Sequence, residues 1–214
     1  MLPIFISGIG TGVGKTLASA ILTEALQADY WKPIQAGYEG GTDSIEVTDL
    51  ISNPSTIIHP EVYKLKLPAS PHFAARREDV SIDLQKIKTT FENLQVSNDF
   101  LIIEGAGGLM VPLNEKEFVV DLVTSLQTPV ILVSRNYLGS INHSLMSAAV
   151  CKQRNIPVLG WIFNDQSNGY EEEIANWSGY PVLASIPKFT TINKQVIKEY
   201  AYKLRPVLLK GIRH

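Results

Sequence analysis

A single cysteine, Cys151, stands among the 214 residues. That excludes an internal disulfide framework and a clustered thiolate metal site. It sits in a helical pattern with Ala148, Ala149 and Val150, where a buried packing role is expected. No apolar run approaches the roughly 18 residues a membrane-spanning helix needs. The start of the chain lacks the charged segment followed by an apolar one that marks an export signal, so the expected location is the cytoplasm. Positive charge is not in excess either: 19 Lys and Arg face 21 Asp and Glu, for a net charge of −2. The basic footprint of a nucleic-acid binder is missing, and neither nucleic acid nor a membrane is expected as a partner.

What the chain does have is a set of short apolar runs. They are "LPIFIS" (2–7), "DFLIIEG" (99–105), "PVILVS" (129–134), "PVLGWIFN" (157–164) and "PVLASIP" (181–187), with "DYWKPI" (29–34) a weaker member. None alternates with polar residues, which is how strands covered on both faces read. Helix-spaced stripes lie between them: Leu17, Ile21, Leu22 and Leu26; Leu84, Ile87, Phe91 and Leu94; Phe118, Leu122, Val123 and Leu126; Ile141, Leu145, Ala148 and Ala149. Strands alternating with helices predict an α/β fold, a mainly parallel β-sheet flanked by helices. Residues 52–73 are Pro-rich and read as a long functional loop. With no repeat or compositional boundary, residues 1–214 are expected to form one domain.

In such a sheet ligands bind beyond the carboxyl ends of the strands, and the segments that fall there are chemically distinctive. "SGIGTGVGKT" (7–16) nearly spells a phosphate-binding loop, but five residues, not four, separate Gly8 from Gly14-Lys15. The cradling part, "TGVGKT", is intact. Its glycines let backbone N–H groups turn around an anion, the following helix adds its positive end, Lys15 reaches the β- and γ-phosphates, and the Thr16 hydroxyl suits Mg²⁺. This predicts a P-loop nucleoside-triphosphate-binding fold. "IIEGAGG" (102–108) puts Glu104 after four apolar residues and before glycines, the pattern of a metal- or phosphate-site carboxylate. Asp43 in "GGTDS" opens a helix over 44–51 and reads equally as an N-cap or a site carboxylate. Lys32 in "WKPIQAG" is held extended by Pro33; spacing alone leaves it either a surface lysine or a cation over the phosphates.

Taken in order, "GTGVGKT", "KPIQAG", "TDS", "SPH" (70–72), "IEGAGG", "GSINHS" (139–144), "GWIFND" (160–165) and "SIP" (185–187) resemble dethiobiotin synthetase over residues 4 to about 189. The longer loop is a trait of that family. The resemblance implies an ATP-dependent cyclo-ligase that uses CO₂ to close the ureido ring of 7,8-diaminononanoate, a step of biotin biosynthesis. A carbamate attacks the γ-phosphate, and the second amine displaces phosphate from the resulting carbamic-phosphoric anhydride. It implies Lys15 and Lys32 as catalytic residues. Thr16, Asp43 and Glu104 become ligands of Mg²⁺. The nucleotide site is Gly12, Val13, Gly14, Lys15, Thr16, Leu17, Asp43, Glu104, Gly105, Ala106 and Gly107, with Asn164 reading adenine and Pro187 lining the base pocket. "SINHS" resembles the start of the family's dimer-interface helix, which implies a homodimer and a structural role for His143.

Two departures stand out. Ala36 replaces the Ser or Thr that supplies a hydroxyl before the glycine of "KPxxxG", and Tyr137 replaces a lysine shortly before "LGxINH". The main alternative is a partitioning or regulatory ATPase acting on a membrane or DNA. Such proteins carry an extra lysine early in the loop, where this chain has Ile9 and Gly10, and often an amphipathic tail. The basic C-terminal stretch from Asn193 is expected to be a capping helix instead.

Overall fold

The computed structural model describes residues 1–165 and 169–212. The apolar runs become a seven-stranded sheet in the order β4-β2-β6-β1-β7-β8-β9, every neighbouring pair parallel. Its strands are β1 (Leu2–Gly8), β2 (Asp29–Trp31), β4 (Ile58–His59), β6 (Phe100–Gly108), β7 (Val130–Arg135), β8 (Val158–Asn164) and β9 (Val182–Ile186). A second, two-stranded sheet joins β3 (Ile34–Ala36) to β5 (Tyr63–Leu65).

Successive side chains of a strand point to opposite faces, and this sheet accordingly separates two cores. Phe5, Leu101, Ile103, Val130, Leu132, Trp161 and Phe163 pack on one face. The helices there are α3 (Pro71–Arg77), α4 (Leu84–Glu92), α5 (Val119–Leu126), α6 (Ser140–Gln153) and α7 (Glu171–Ser178). Ile4, Ile6, Phe100, Ile102, Ile131, Val133 and Ile162 pack on the other. There they meet α1 (Lys15–Leu26), α2 (Asp43–Leu50) and α8 (Lys194–Ile212). Each such side chain contributes about 1.5–3 kcal/mol through burial. Cys151 is fully buried in the first core, and burial pushes its thiol up to about 12. Helix α8 buries Ile197, Ala201, Leu208 and Ile212, and Arg205 donates to the Ala25 carbonyl at the end of α1. It is a capping helix, as expected.

Three expectations are corrected. Residues 52–73 are not one irregular loop: they hold β4, β5 and the start of α3. "DYWKPI" is not one strand, because Pro33 has no N–H to continue the ladder. The chain leaves the large sheet after Trp31, and Ile34–Ala36 pair with β5 instead. Strand β6 does not end with the apolar run at Gly105; it continues to Gly108, which pairs with Gly8 across a register shift in β1. Glycine permits this: a Cβ on Gly105 would lie 2.7 Å from the Phe5 ring.

The helices after β1 and β6 pack on opposite faces of the sheet, although these strands are neighbours. The chain therefore diverges between them, and the crevice at their carboxyl ends is where an open α/β sheet binds ligands.

Candidate active site

That crevice is a cavity of about 650 Å³, lined by Gly12, Gly14, Lys15, Thr16 and Leu17 from the loop and α1. Lys32, Asp43, Glu104, Ala106 and Gly107 line it as well, whereas Val13, Gly105, Asn164 and Pro187 of the expected site are not among its lining residues. Gly14 takes φ 88°, open to glycine, and packs so tightly on the Asn164 amide that a Cβ would collide with it. The Val13 carbonyl accepts from Asn164 Nδ2 at 3.1 Å. One loop thus links the phosphate cradle to the end of β8. Pro187 follows directly on Ile186, which pairs with Asn164.

Lys32 is the hub. Strand β2 aims it along the crevice, and its ammonium lies 2.6 Å from Asp43 Oδ2 and 3.1 Å from Glu104 Oε1. It also donates to the Gly105 carbonyl at 3.4 Å. Burial pushes the Lys32 pKa down, but Glu104 and Asp43 outweigh it, so the group is held above the usual lysine range. The surface-lysine alternative is thereby removed: Lys32 is 4% exposed. Glu104 is 1% exposed. It accepts from the Thr16 hydroxyl at 3.1 Å and from the Tyr30 hydroxyl at 3.0 Å.

Lys15 is different. Its ammonium donates to the Gly10 carbonyl at 3.2 Å. Burial first, then the Lys32 charge, push its pKa down, and the Glu104 and Asp43 carboxylates offset this only in part. Two buried cations facing one cavity favour an oxyanion between them.

Asp43 is not the N-cap of α2. Thr42 caps it, accepting from the Ile45 N–H, which frees the Asp43 carboxylate in the first helical turn to turn toward Lys32. Gln35 fixes this start of the helix, accepting from the Asp43 N–H and donating to the Gly37 carbonyl. Sequence reading missed Gln35, Tyr30, Glu46 and Ser70. Of these, Gln35, Glu46 and Ser70 line the cavity. Their only sequence signal was proximity to "KPIQAG", "TDS" and "SPH". At Ala36 the cavity wall has no hydroxyl; Ser70 brings one to the same cavity, bonded to His72 Nδ1 at 2.9 Å. Tyr137 bonds to His143 Nδ1 at 2.7 Å.

Thr16, Asp43 and Glu104 offer oxygen donors only. No group of three His, Cys, Asp or Glu side chains among the described residues forms a cation cage of its own. One or two carboxylates beside a phosphate cradle suit Mg²⁺, which keeps several waters and takes the rest of its shell from substrate phosphates.

A family model described as an AAA domain matches residues 3–196. The ATP-dependent dethiobiotin synthetase BioD of Cytophaga hutchinsonii is 51% identical over 205 residues, covering 95% of this chain and 97% of that protein. The chain belongs to the dethiobiotin synthetase family. A further family member, from Christiangramia forsetii, is 46% identical over 94% of this chain and 95% of its own. Among solved structures, the cell division ATPase MinD of Pyrococcus furiosus superposes with a TM-score of 0.61 at 16% identity, covering 100% of this chain and 99% of its own. At that identity the likeness is one of fold. It bears out the fold, and the high sequence identity, 51% and 46%, is to dethiobiotin synthetases.

Proposed function

We propose that the cavity binds Mg-ATP beside the carbamate of 7,8-diaminononanoate and activates that carbamate by phosphoryl transfer. As a dethiobiotin synthetase, this chain is an ATP-dependent ligase of biotin biosynthesis. The observation that carries the residue roles is the pair of buried ammonium groups, Lys15 and Lys32, set over one cavity with an acidic partner on one side only.

Phosphoryl transfer asks the protein for positioning and charge neutralisation more than for covalent help. The backbone of residues 12–17 cradles the phosphates, with Lys15 on the β- and γ-groups. Lys32, fixed by Asp43 and Glu104, neutralises charge shared by the carbamate oxygen and the γ-phosphate. Thr16, Asp43 and Glu104 hold Mg²⁺, which when bound supplies further charge neutralisation. Ala106 and Gly107 form the nucleotide-site wall beside Glu104, with Gly105 packed on the Phe5 ring behind them. Asn164 reads the adenine edge, its amide suited to the base's donor and acceptor, and Pro187 flanks the base.

The chain works as one unit over residues 1–214 and as a homodimer. Met110, Leu138 and Met146 are exposed apolar side chains at or beside a groove shared with His143, the face offered to a second copy by the "SINHS" helix start. The site of action is the cytoplasm; among the described residues no helix is long and apolar enough to cross a membrane.

Phosphate release with ATP, Mg²⁺ and diaminononanoate, with and without bicarbonate, tests this reading. Release is expected to require both the diamine and bicarbonate. Release that ignores both, yet rises with DNA or lipid vesicles, would transfer the protein to the partitioning class.

A further inference from the structure

Ring closure has a proton to dispose of. The amine that attacks the anhydride must be neutral, although free amines are largely protonated near neutral pH, and the new N–C bond leaves a proton to be taken from nitrogen. The cavity has five ionisable side chains: Lys15, Lys32, Asp43, Glu46 and Glu104. Four are committed. Lys15 and Lys32 are cations facing the phosphates, Asp43 lies 2.6 Å from Lys32, and Glu104 accepts from Thr16, Tyr30 and Lys32. Glu46 has no side-chain hydrogen bond or ion pair among the described residues. It stands one helical turn from Asp43 on α2, so both carboxylates share the cavity face of that helix.

Resting on the reading above, we infer that Glu46 is the proton acceptor for the amine that closes the ring. The nitrogen lone pair forms the bond to the anhydride carbon. The carbon–oxygen bond to phosphate breaks with its electron pair going to phosphate, and the N–H proton passes to a Glu46 carboxylate oxygen and then to solvent. The surroundings tune the group for this. Glu46 is exposed at the cavity wall, so a proton taken there can pass to water. Desolvation against that wall first, then the Asp43 and Glu104 charges, raise its pKa, bringing its basicity closer to the operating pH, where general-base catalysis is most effective. Lys15 and Lys32 are the other charges on the cavity wall; Lys32 is held by Asp43 and Glu104, and Lys15 by the Gly10 carbonyl.

The test is a Glu46→Gln variant compared with the parent from about pH 6 to pH 9, reading kcat and KM for the diamine, and the dissociation constant of ATP. Expected is a loss of at least about 10²-fold in kcat near neutrality that narrows as pH rises and free amine accumulates, with ATP affinity retained. Glu46→Asp should recover part of the loss. A Glu46→Gln enzyme with the parent's pH profile, or a defect confined to KM, overturns the assignment while leaving the proposed function standing. A parent without diamine-dependent phosphate release overturns both.

Discussion

Two buried carboxylates sit toward opposite ends of the same pair of strands, and they are satisfied in different ways. Asp29 opens β2 and accepts from the backbone N–H groups of Ile57 and Ser97 and from the Asn98 amide. Glu104 lies past the other end of that pairing and accepts from the side chains of Thr16, Tyr30 and Lys32. Both are essentially inaccessible, at 0% and 1% exposure. A carboxylate closed mainly by backbone donors is part of the architecture, because those donors cannot leave without unfolding a turn. One closed by a hydroxyl, a phenol and an ammonium at a cavity wall can exchange partners when a substrate enters. Burial alone does not separate structure from function; the identity of the donors does.

The sharpest way to break the comparison is Lys32→Gln. It removes the cation shared by Asp43 and Glu104, and turnover should fall by roughly 10²-fold or more, the scale of one lost electrostatic donor in a phosphoryl or acyl transfer site. Steady-state kinetics would show it, and near-normal turnover would take Lys32 out of the mechanism. Next comes Asp29→Asn at the architectural end. Its new amide would set a donor against the Ser97 or Ile57 N–H, costing about 1–3 kcal/mol in unfolding free energy. Denaturant titration would register that loss while kcat stays near the parent value; a large kcat defect with unchanged stability would erase the distinction. The smallest effect is expected from Tyr30→Phe. It removes one donor to Glu104 and leaves two, so activity should drop by about tenfold or less, about 1 kcal/mol, and equal activity would mark the phenol as packing only.

Much of this was legible in the chain. The parallel sheet, the four main helices between strands and the phosphate cradle follow from apolar runs, 3.6-residue stripes and "TGVGKT", all local patterns. The capping role of α8 and the burial of Cys151 were legible for the same reason. What was not legible depended on partners distant in sequence. Asp43 could be an N-cap until Thr42 took that place. Lys32 could be a surface lysine until β6 brought Glu104 beside it, 72 residues away. Pro33 marked an interruption, but only the pairing of Ile34–Ala36 with β5 revealed a second small sheet.

The sequence by itself determined that the chain would build a doubly covered sheet ending in a nucleotide cradle, since burial of apolar runs and glycine-lysine spacing act over a few residues. It also supplied the family likeness. The tertiary structure alone decided which charges meet. The parallel pairing of β2 with β6 and the packing of α2 join Lys32, Asp43 and Glu104 into one interlocked group and leave Glu46 without a side-chain partner among the described residues. Electrostatic pairing in a low-dielectric interior is set by distance through space, and distance along the chain carries almost no information about it.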